Sequence, residues 1–376
     1  MEILAEIGHA LWIAFAMFWE ILWPLILGFG LSGVVQAVVS KGEMSKLLPD
    51  DSPKTLAIAT GLGAASSSCS YAAVALARSI FRRGANFTAA MAFELASTNL
   101  VAELSIILIV LMGWQFALAE FAGGPLMVAI VAVLFRLFLS RKLVKQAKEQ
   151  ADKGIKGAME GHAEMDMSVE GRSFWQRISS PEAITATSHY FVMDWEMVWK
   201  DIAGGLLIAG AISAWGVPQN FWKTLFLTSH PVAATVWGPL VGPIVAVLSF
   251  VCSVGNIPLA AVLWNGGISF GGVIAFIYAD LIVLPIINIY RKYYGWKATA
   301  FVVGIFYLAM AAAALIIESV FRILGLVPQE RKAQVVEASI SFNYTTVLNI
   351  IFLMVAGFLF IRFLKTGGPK MLAHMD

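Results

Sequence analysis

The chain has 376 residues, 59% of them hydrophobic and 13% charged, with a mean hydropathy of +0.79. That is more apolar side chain than a globular core of this length hides from water, so the composition predicts a polytopic membrane protein. A formal charge of only +2 argues against a nucleic-acid partner, no G-x-x-x-x-G-K-[ST] loop is present for ATP hydrolysis, and two cysteines in apolar sequence are no secreted disulfide framework.

The N-terminal stretch Met1 to Glu6 carries acids and no basic region, so it does not look like a cleavable signal peptide and the first helix is expected to be retained. Apolar segments long enough to span ~30 Å of hydrocarbon, about 20 helical residues, fall near 10–39, 86–113, 115–140, 198–217, 270–289, 298–325 and 343–364. Two further segments, 55–81 and 232–264, hold the two cysteines. The first contains Ser66-Ser67-Ser68-Cys69-Ser70-Tyr71-Ala72-Ala73, and the second contains Cys252-Ser253-Val254-Gly255-Asn256-Ile257-Pro258 at an offset of 183 residues. At that offset Leu76, Ala77, Gly84, Phe87, Ala92 and Phe93 also find identical partners in Leu259, Ala260, Gly267, Phe270, Ala275 and Phe276. Cys, Gly and paired Phe are hard to match by accident, which points to an internal duplication.

Loop charge bears on whether 55–81 and 232–264 cross the membrane or dip in and return, because cytoplasmic loops collect Lys and Arg. With nine crossings, Lys41, Lys46, Lys54, Arg291, Lys292, Lys297, Arg362, Lys365 and Lys370 fall outside, together with Lys223. With two re-entrant hairpins those residues join Arg78, Arg82, Arg83 and the middle loop inside, and only Lys223, Arg322, Arg331 and Lys332 stay outside. The prediction is an all-α integral membrane fold of two inverted-topology repeats, with about seven full spans and two re-entrant or broken helical hairpins. Residues 1–140 form the first repeat, 141–198 a cytoplasmic linker with an interfacial helix, and 199–376 the second repeat. The N-terminus is placed outside an inner membrane and the C-terminus in the cytoplasm. A turn at membrane depth leaves backbone groups without helical partners, and Gly61, Gly63, Gly255 and Pro258 are expected to supply the breaks.

Cys69 and Cys252 are the sharpest candidates for solute contact, because a thiolate is a soft ligand suited to soft ions and trivalent metalloids. The alternative is that each is a small apolar residue letting helices approach. Ser67, Ser68, Ser70, Ser253 and Asn256 offer hydrogen bonds to a solute, or else pack and bond back to their own helix. On the next span, Glu94, Ser97 and Thr98 share one helical face, while Asn99 and Glu103 share another. Asp280 falls opposite Ser97 in the duplication. Carboxyls at that depth are paired, protonated or part of an ion path, so Glu94 and Asp280 are the candidate coupling groups, with structural pairing as the alternative. Glu20, Glu120 and Glu318 are placed nearer the interfaces and set aside.

Between the repeats, residues 141–156 are rich in basic side chains, and Phe174-Trp175, Tyr190-Phe191, Trp195 and Trp199 mix aromatics with charge as an interfacial helix does. No chemistry is assigned to them. The five histidines lie too far apart for a zinc motif, and neither a metal nor a cofactor is expected.

Ser66 to Ala73, the following Gly84-Ala85-Asn86-Phe87-Thr88-Ala89-Ala90-Met91-Ala92-Phe93 and the second Cys-bearing repeat resemble the family of predicted permeases that includes the ArsP-type exporters of trivalent organoarsenicals. The resemblance covers nearly the whole chain outside 141–198. It implies secondary-active efflux of a small, soft or metalloid-containing solute through a midplane site by alternating access. Without an ATPase motif, an ion gradient is the expected driver, with protons as the coupling ion. Partners are then the solute, the lipid bilayer and the coupling proton, and a homodimer is left open. The rival readings are a permease or channel for a metal ion or a small sulfur or oxygen anion, and, from another class, a membrane thiol-redox enzyme using Cys69 and Cys252.

Overall fold

A computed structural model describes residues 2–38, 45–66, 70–152, 167–169, 174–215, 221, 224–249, 253–331, 333 and 344–372. Among the described residues the secondary structure is helical and no strand occurs. In chain order the helices are α1 (Glu2–Val38), α2 (Pro53–Ser66), α3 (Ser70–Arg82), α4 (Phe87–Asn99), α5 (Ala102–Leu111), α6 (Trp114–Phe138), α7 (Arg141–Ala151), α8 (Phe174–Ile178) and α9 (Pro181–Trp215). The second half continues with α10 (Pro231–Ser249), α11 (Ser253–Gly266), α12 (Phe270–Tyr278), a 3-10 turn (Ala279–Ile282), α13 (Leu284–Tyr294), α14 (Trp296–Ile323), α15 (Tyr344–Lys365) and α16 (Gly368–Leu372).

The solvent this fold is built for is read from which side chains face out. Phe15, Leu137, Phe138, Ile316, Met354 and Phe358 are exposed on the outer helices, whereas Glu94, Glu120, Asp280 and Glu318 are buried. An aqueous fold has the reverse preference, so the apolar outer surface is a lipid-facing one. Six helices are long and apolar enough to cross a bilayer, or seven when the bent pair Phe270–Ile282 and Leu284–Tyr294 is taken as one span. The chain is therefore a multi-pass membrane protein. The segment expected at 198–217 is described as far as Trp215, as the C-terminal part of the 35-residue helix α9, which runs without interruption from Pro181.

Helix α9 packs antiparallel against the 37-residue α1. Small residues set that approach: Gly33 lies against Thr187, Gly210 lies against Ala10 and Ala14, and the Phe29 and Trp195 rings meet edge-on at 5.2 Å. Helix α15 is fastened to α1 beside Pro24, where Asn349 donates to the Trp19 carbonyl at 2.7 Å and accepts from the Trp23 amide at 2.9 Å.

Helices α2 and α3 leave and return at one end of the bundle, because the Asn86 amide donates to the Leu48 carbonyl at 2.7 Å. That end also holds the Arg136–Asp51 ion pair at 2.9 Å and α7, whose Ala151 carbonyl accepts from Arg78 at 2.8 Å. Gln150 of α7 donates to the Lys292 carbonyl, which brings the end of α13 to the same level. Helix α14 then runs to the opposite end, where Arg322 donates to Thr235 at 2.8 Å. There the chain enters α10 and leaves α11: Thr228 lies against Gly267, and Arg331 donates to the carbonyls of Trp264 and Ile268 at 2.7 and 2.8 Å.

Matching local geometry occurs at corresponding points of the two halves. Gly84 and Gly267 have φ values of 110° and 111°, left-handed geometry that a Cβ disfavours. Each closes its helix by the same bond, Ala85 N to Ile80 O at 3.1 Å and Ile268 N to Leu263 O at 3.2 Å. Asn86 and Ser269 then cap α4 and α12, accepting from backbone amides with their side chains. Both following spans are interrupted, the first before Val101 and the second before Val283, each in extended conformation with no side-chain cap. Gly113-Trp114 and Gly295-Trp296 next open α6 and α14.

The glycines and proline expected to break the hairpins do something else. Gly61 and Gly63 lie inside α2, and Gly255 and Pro258 lie inside α11. Gly63 instead lets α2 run beside α4, since a Cβ there would meet the Phe93 carbonyl and sit 2.9 Å from the Ala96 Cβ. In the other half Gly238 and Gly242 lie against Gly272 of α12 in the same parallel sense. The gap between Asn99 and Glu103 corrects a second expectation, because an interrupted helix does not put i and i+4 on one face.

Candidate functional site

Helix α3 begins with Ser70, whose hydroxyl donates to Asp280 Oδ2 at 2.8 Å. This bond joins the start of one half's return helix to the interruption in the other half's span, across 210 residues of sequence. Both side chains are fully buried. Asp280 also sits at the N-terminus of α3, where the helix dipole favours a carboxylate.

A second contact between the halves lies beside the first. Glu94 of α4 is fully buried and its Oε1 accepts a hydrogen bond from the Tyr290 hydroxyl of α13. Glu94 lies close enough to Asp280 for the two charges to act on one another. A charge-assisted hydrogen bond is worth about 1.5–3 kcal/mol, and leaving one partner alone in a dry interior costs as much or more. The two bonds therefore tie α3 and α4 to the second half's interrupted span at one depth.

The remaining polar residues of α4 turn inward on their own helix. Ser97 donates to the Glu94 carbonyl at 2.9 Å and Thr98 to the Leu95 carbonyl at 3.4 Å. Asn99 donates to the Leu95 carbonyl at 3.1 Å and to the Thr98 hydroxyl at 3.0 Å, while its Oδ1 is buried without a hydrogen-bond partner among the described residues. Asn256 is fully buried on α11. Ser253 opens that helix, and its side chain lies outside what is described. Ser67, Ser68, Cys69 and Cys252 lie outside the described residues. They belong to the two short connections that join Ser66 to Ser70 and Ser249 to Ser253.

Three carboxylates are placed differently from expectation. Glu120 of α6, set aside on sequence, is enclosed by protein at 0% exposure although it lies in the second turn of its helix, and the charge of Asp280 bears on it. Tyr278 lies next to it and donates to the Ala119 carbonyl at 3.2 Å. Glu318 is also buried, where it accepts from the Gly271 amide at 2.9 Å and pairs with Arg322 at 2.7 Å, closing the mouth of the second hairpin. Glu103 turns away from the site toward α1, its Cβ filling the space above Gly28, and faces Asp194 of α9. Sequence reasoning missed Tyr290 and set Glu120 aside, because the neighbours that matter to each lie more than 150 positions away.

The sequence profile of a family described as "Predicted permease", of the ArsP type, matches residues 6–319. A protein of Mycobacterium tuberculosis named "Putative permease Rv2963" is 61% identical over 339 residues, covering 90% of this chain and 83% of that protein. No solved structure matches the chain.

Proposed function

Because the chain belongs to the predicted permease family, we propose that it is a secondary-active inner-membrane permease exporting a small, soft or metalloid-containing solute of the trivalent organoarsenical kind. The observation that carries this is the Ser70–Asp280 bond. A transporter built from two inverted repeats places its site where interrupted helices of the two halves meet near the bilayer midplane. Here the start of α3 meets the 3-10 turn between α12 and α13.

Two features favour opposed hairpins. The Leu48–Asn86 bond and the Thr228–Gly267 contact lie at opposite ends of the bundle. Basic residues follow the same division, with Arg78, Arg82, Arg136, Arg141 and Lys148 at the first end, which the charge rule assigns to the cytoplasm. In this reading Ser70, Cys69, Cys252, Ser253 and Asn256 contact the solute, and Glu94 and Asp280 exchange the coupling proton.

The decisive experiment offers a panel of solutes, including a trivalent phenylarsenical, oxyanions and divalent metal ions, to lipid vesicles containing only the purified protein. Export of the arsenical, weakened by Cys69→Ser and less strongly by Cys252→Ser, is expected. Movement of an oxyanion or a metal ion instead would replace the substrate class, and no movement of any solute would remove the permease mechanism. Accessibility tags at 46–54 and 82–85 are expected on one side of the membrane, and tags at 224–231 and 265–269 on the other. Tags at 46–54 and 82–85 found on opposite sides would exclude the first hairpin.

A further inference from the structure

The end of the bundle that holds Leu48 and Asn86 also carries a cavity that the proposed mechanism leaves unused. It has a volume of about 570 Å³ and lies between the start of α2, the N-terminus of α4, the end of α6 and the start of α7. Asp51, Asn86, Thr88, Phe135, Arg136 and Arg141 line it. The next two residues of α6, Leu137 and Phe138, are 68% and 64% exposed, which places the cavity at the edge of the lipid-facing surface.

Its polar lining presents donors. Arg136 gives Nε and Nη2 to the Asp51 carboxylate and carbonyl, which leaves Nη1 without a hydrogen bond among the described residues. Arg141 has neither a hydrogen bond nor an ion pair from its side chain among those residues. Asn86 uses its Oδ1 on the Thr88 and Ala89 amides, so its side-chain NH₂ stays available. Thr88 is only 6% exposed, and its hydroxyl has no hydrogen-bond partner among the described residues although it lines the cavity. A buried hydroxyl left so costs free energy that a ligand oxygen would recover.

Charge points the same way. Helix α7 opens with Arg141 and Lys142 and has no acid in its first turn, where the positive end of the helix dipole disfavours cations. The carboxylates at this mouth are already engaged, Asp51 by Arg136 and Asp50 by the Thr55 hydroxyl and the Ser52 amide. Asp152 lies at the other end of α7, paired with Lys148 at 3.5 Å. Two arginines and Asp51 leave the cavity one net positive charge, which matches the single negative charge of a phosphodiester.

We propose that this cavity binds the phosphate of an anionic phospholipid, with Arg141 and the Arg136 Nη1 on the phosphate oxygens, the Thr88 hydroxyl donating to one of them, and the acyl chains against Leu137 and Phe138. The location selects a lipid over a soluble anion, because exposed apolar side chains flank the donors and basic pockets between spans hold anionic headgroups. The site shares no residue with the Ser70–Asp280 contact and stands whichever solute the protein moves.

The test is thermal unfolding of the full chain in detergent, titrated with phosphatidylglycerol, phosphatidylcholine or inorganic phosphate. Phosphatidylglycerol is expected to raise the midpoint saturably, since a ligand held only by the folded chain stabilises it. Phosphatidylcholine, whose choline meets Arg141 and Lys142 with like charge, and inorganic phosphate at the same concentration should leave it unchanged. Arg141→Gln is expected to weaken the apparent affinity for phosphatidylglycerol about fivefold, the weight of one basic side chain at a charged membrane surface. Thr88→Val should weaken it by a smaller factor, and Thr88→Ser, which keeps the hydroxyl, should retain it. Lys297→Gln removes the same charge at an exposed position outside the cavity and should keep the wild-type affinity. Equal responses to the two lipids, or equal losses in Arg141→Gln and Lys297→Gln, would overturn the site. An equal response to inorganic phosphate would overturn the lipid as its occupant.

Discussion

The first and second halves of this protein share a turn and cap geometry and differ in their acids. Residues 80–86 and 263–269 make the same helix-ending bonds, the same left-handed glycine and the same side-chain cap. Yet at the offset of 183 Glu94 stands opposite Ile277 and Asp280 opposite Ser97, and beyond the interruptions, where Val101 matches Val283 and Gly113 matches Gly295 at one residue less, Glu103 and Glu120 stand opposite Pro285 and Val302. The comparison teaches that the turn and cap geometry recurs in both halves while the buried acids beside it do not. Backbone polar groups in a bilayer must be satisfied in both halves alike, so breaks and caps recur. A buried carboxyl is costly wherever it sits, so it is kept only where a partner makes it useful.

The sharpest way to break this comparison is at the paired positions Asp280 and Ser97. Asp280→Asn removes the charge that Ser70 binds and is expected to lower flux of a trivalent phenylarsenical by roughly ten- to a hundred-fold, the equivalent of about 1.5–3 kcal/mol. Ser97→Ala removes only a bond back to the Glu94 carbonyl and should change flux less than about threefold, within the few tenths of a kcal/mol of such local bonds. Equal effects in vesicle assays would mean that the two positions carry equal weight despite their different chemistry.

Packing should respond symmetrically. Gly63→Val and Gly242→Val each push a side chain into the backbone of the neighbouring parallel helix and are expected to cost about 1–3 kcal/mol, read as a lowered unfolding midpoint in detergent. Gly84→Ala and Gly267→Ala force a Cβ into left-handed backbone and should cost about 1–2 kcal/mol each. A difference above about 1 kcal/mol within either couple, against the usual error of such comparisons, would show that the halves are not equivalent supports. The caps refine this further: Asn86 accepts from two amides and Ser269 from one, so Asn86→Ala is expected to lower the midpoint more, within the ~0.5–2 kcal/mol of a lost cap.

The smallest expected effect is at the mouth of the first hairpin. The Thr55 hydroxyl, followed by the Ser52 amide and hydroxyl, holds the Asp50 carboxyl below its ordinary value of 3.8. A depressed folded value stabilises above the unfolded one, and that stabilisation is lost as pH falls below 3.8 through the folded value. Ala233 stands at the matching position of the second half. Hydrogen exchange below pH 4 is therefore expected to loosen the start of α2 before that of α10, and Asp50→Asn should abolish the difference.

The sequence by itself determined the solvent and singled out the polar residues that lie beside the interruptions, though not where the interruptions fall. Apolar length and the sparing use of charge are local properties that a bilayer imposes on each segment, and the match of Gly84 with Gly267 marks a turn of the same left-handed geometry in each half. Ser70, Glu94 and Asp280 were legible for the same reason, since a polar residue is conspicuous in an apolar run. Only the tertiary structure decided which of them meet. Ser70 reaches Asp280 and Glu94 reaches Tyr290 across about 200 residues, and Ser97 and Thr98 bond to their own helix instead. Glu120 lies 6 residues into α6, a position that hydropathy alone assigns to a helix end, and it becomes a buried acid only because α12 and the 3-10 turn cover it. Depth along a segment is written in the sequence, but the neighbour at that depth comes from another part of the chain, and contact between them exists only once the helices have packed.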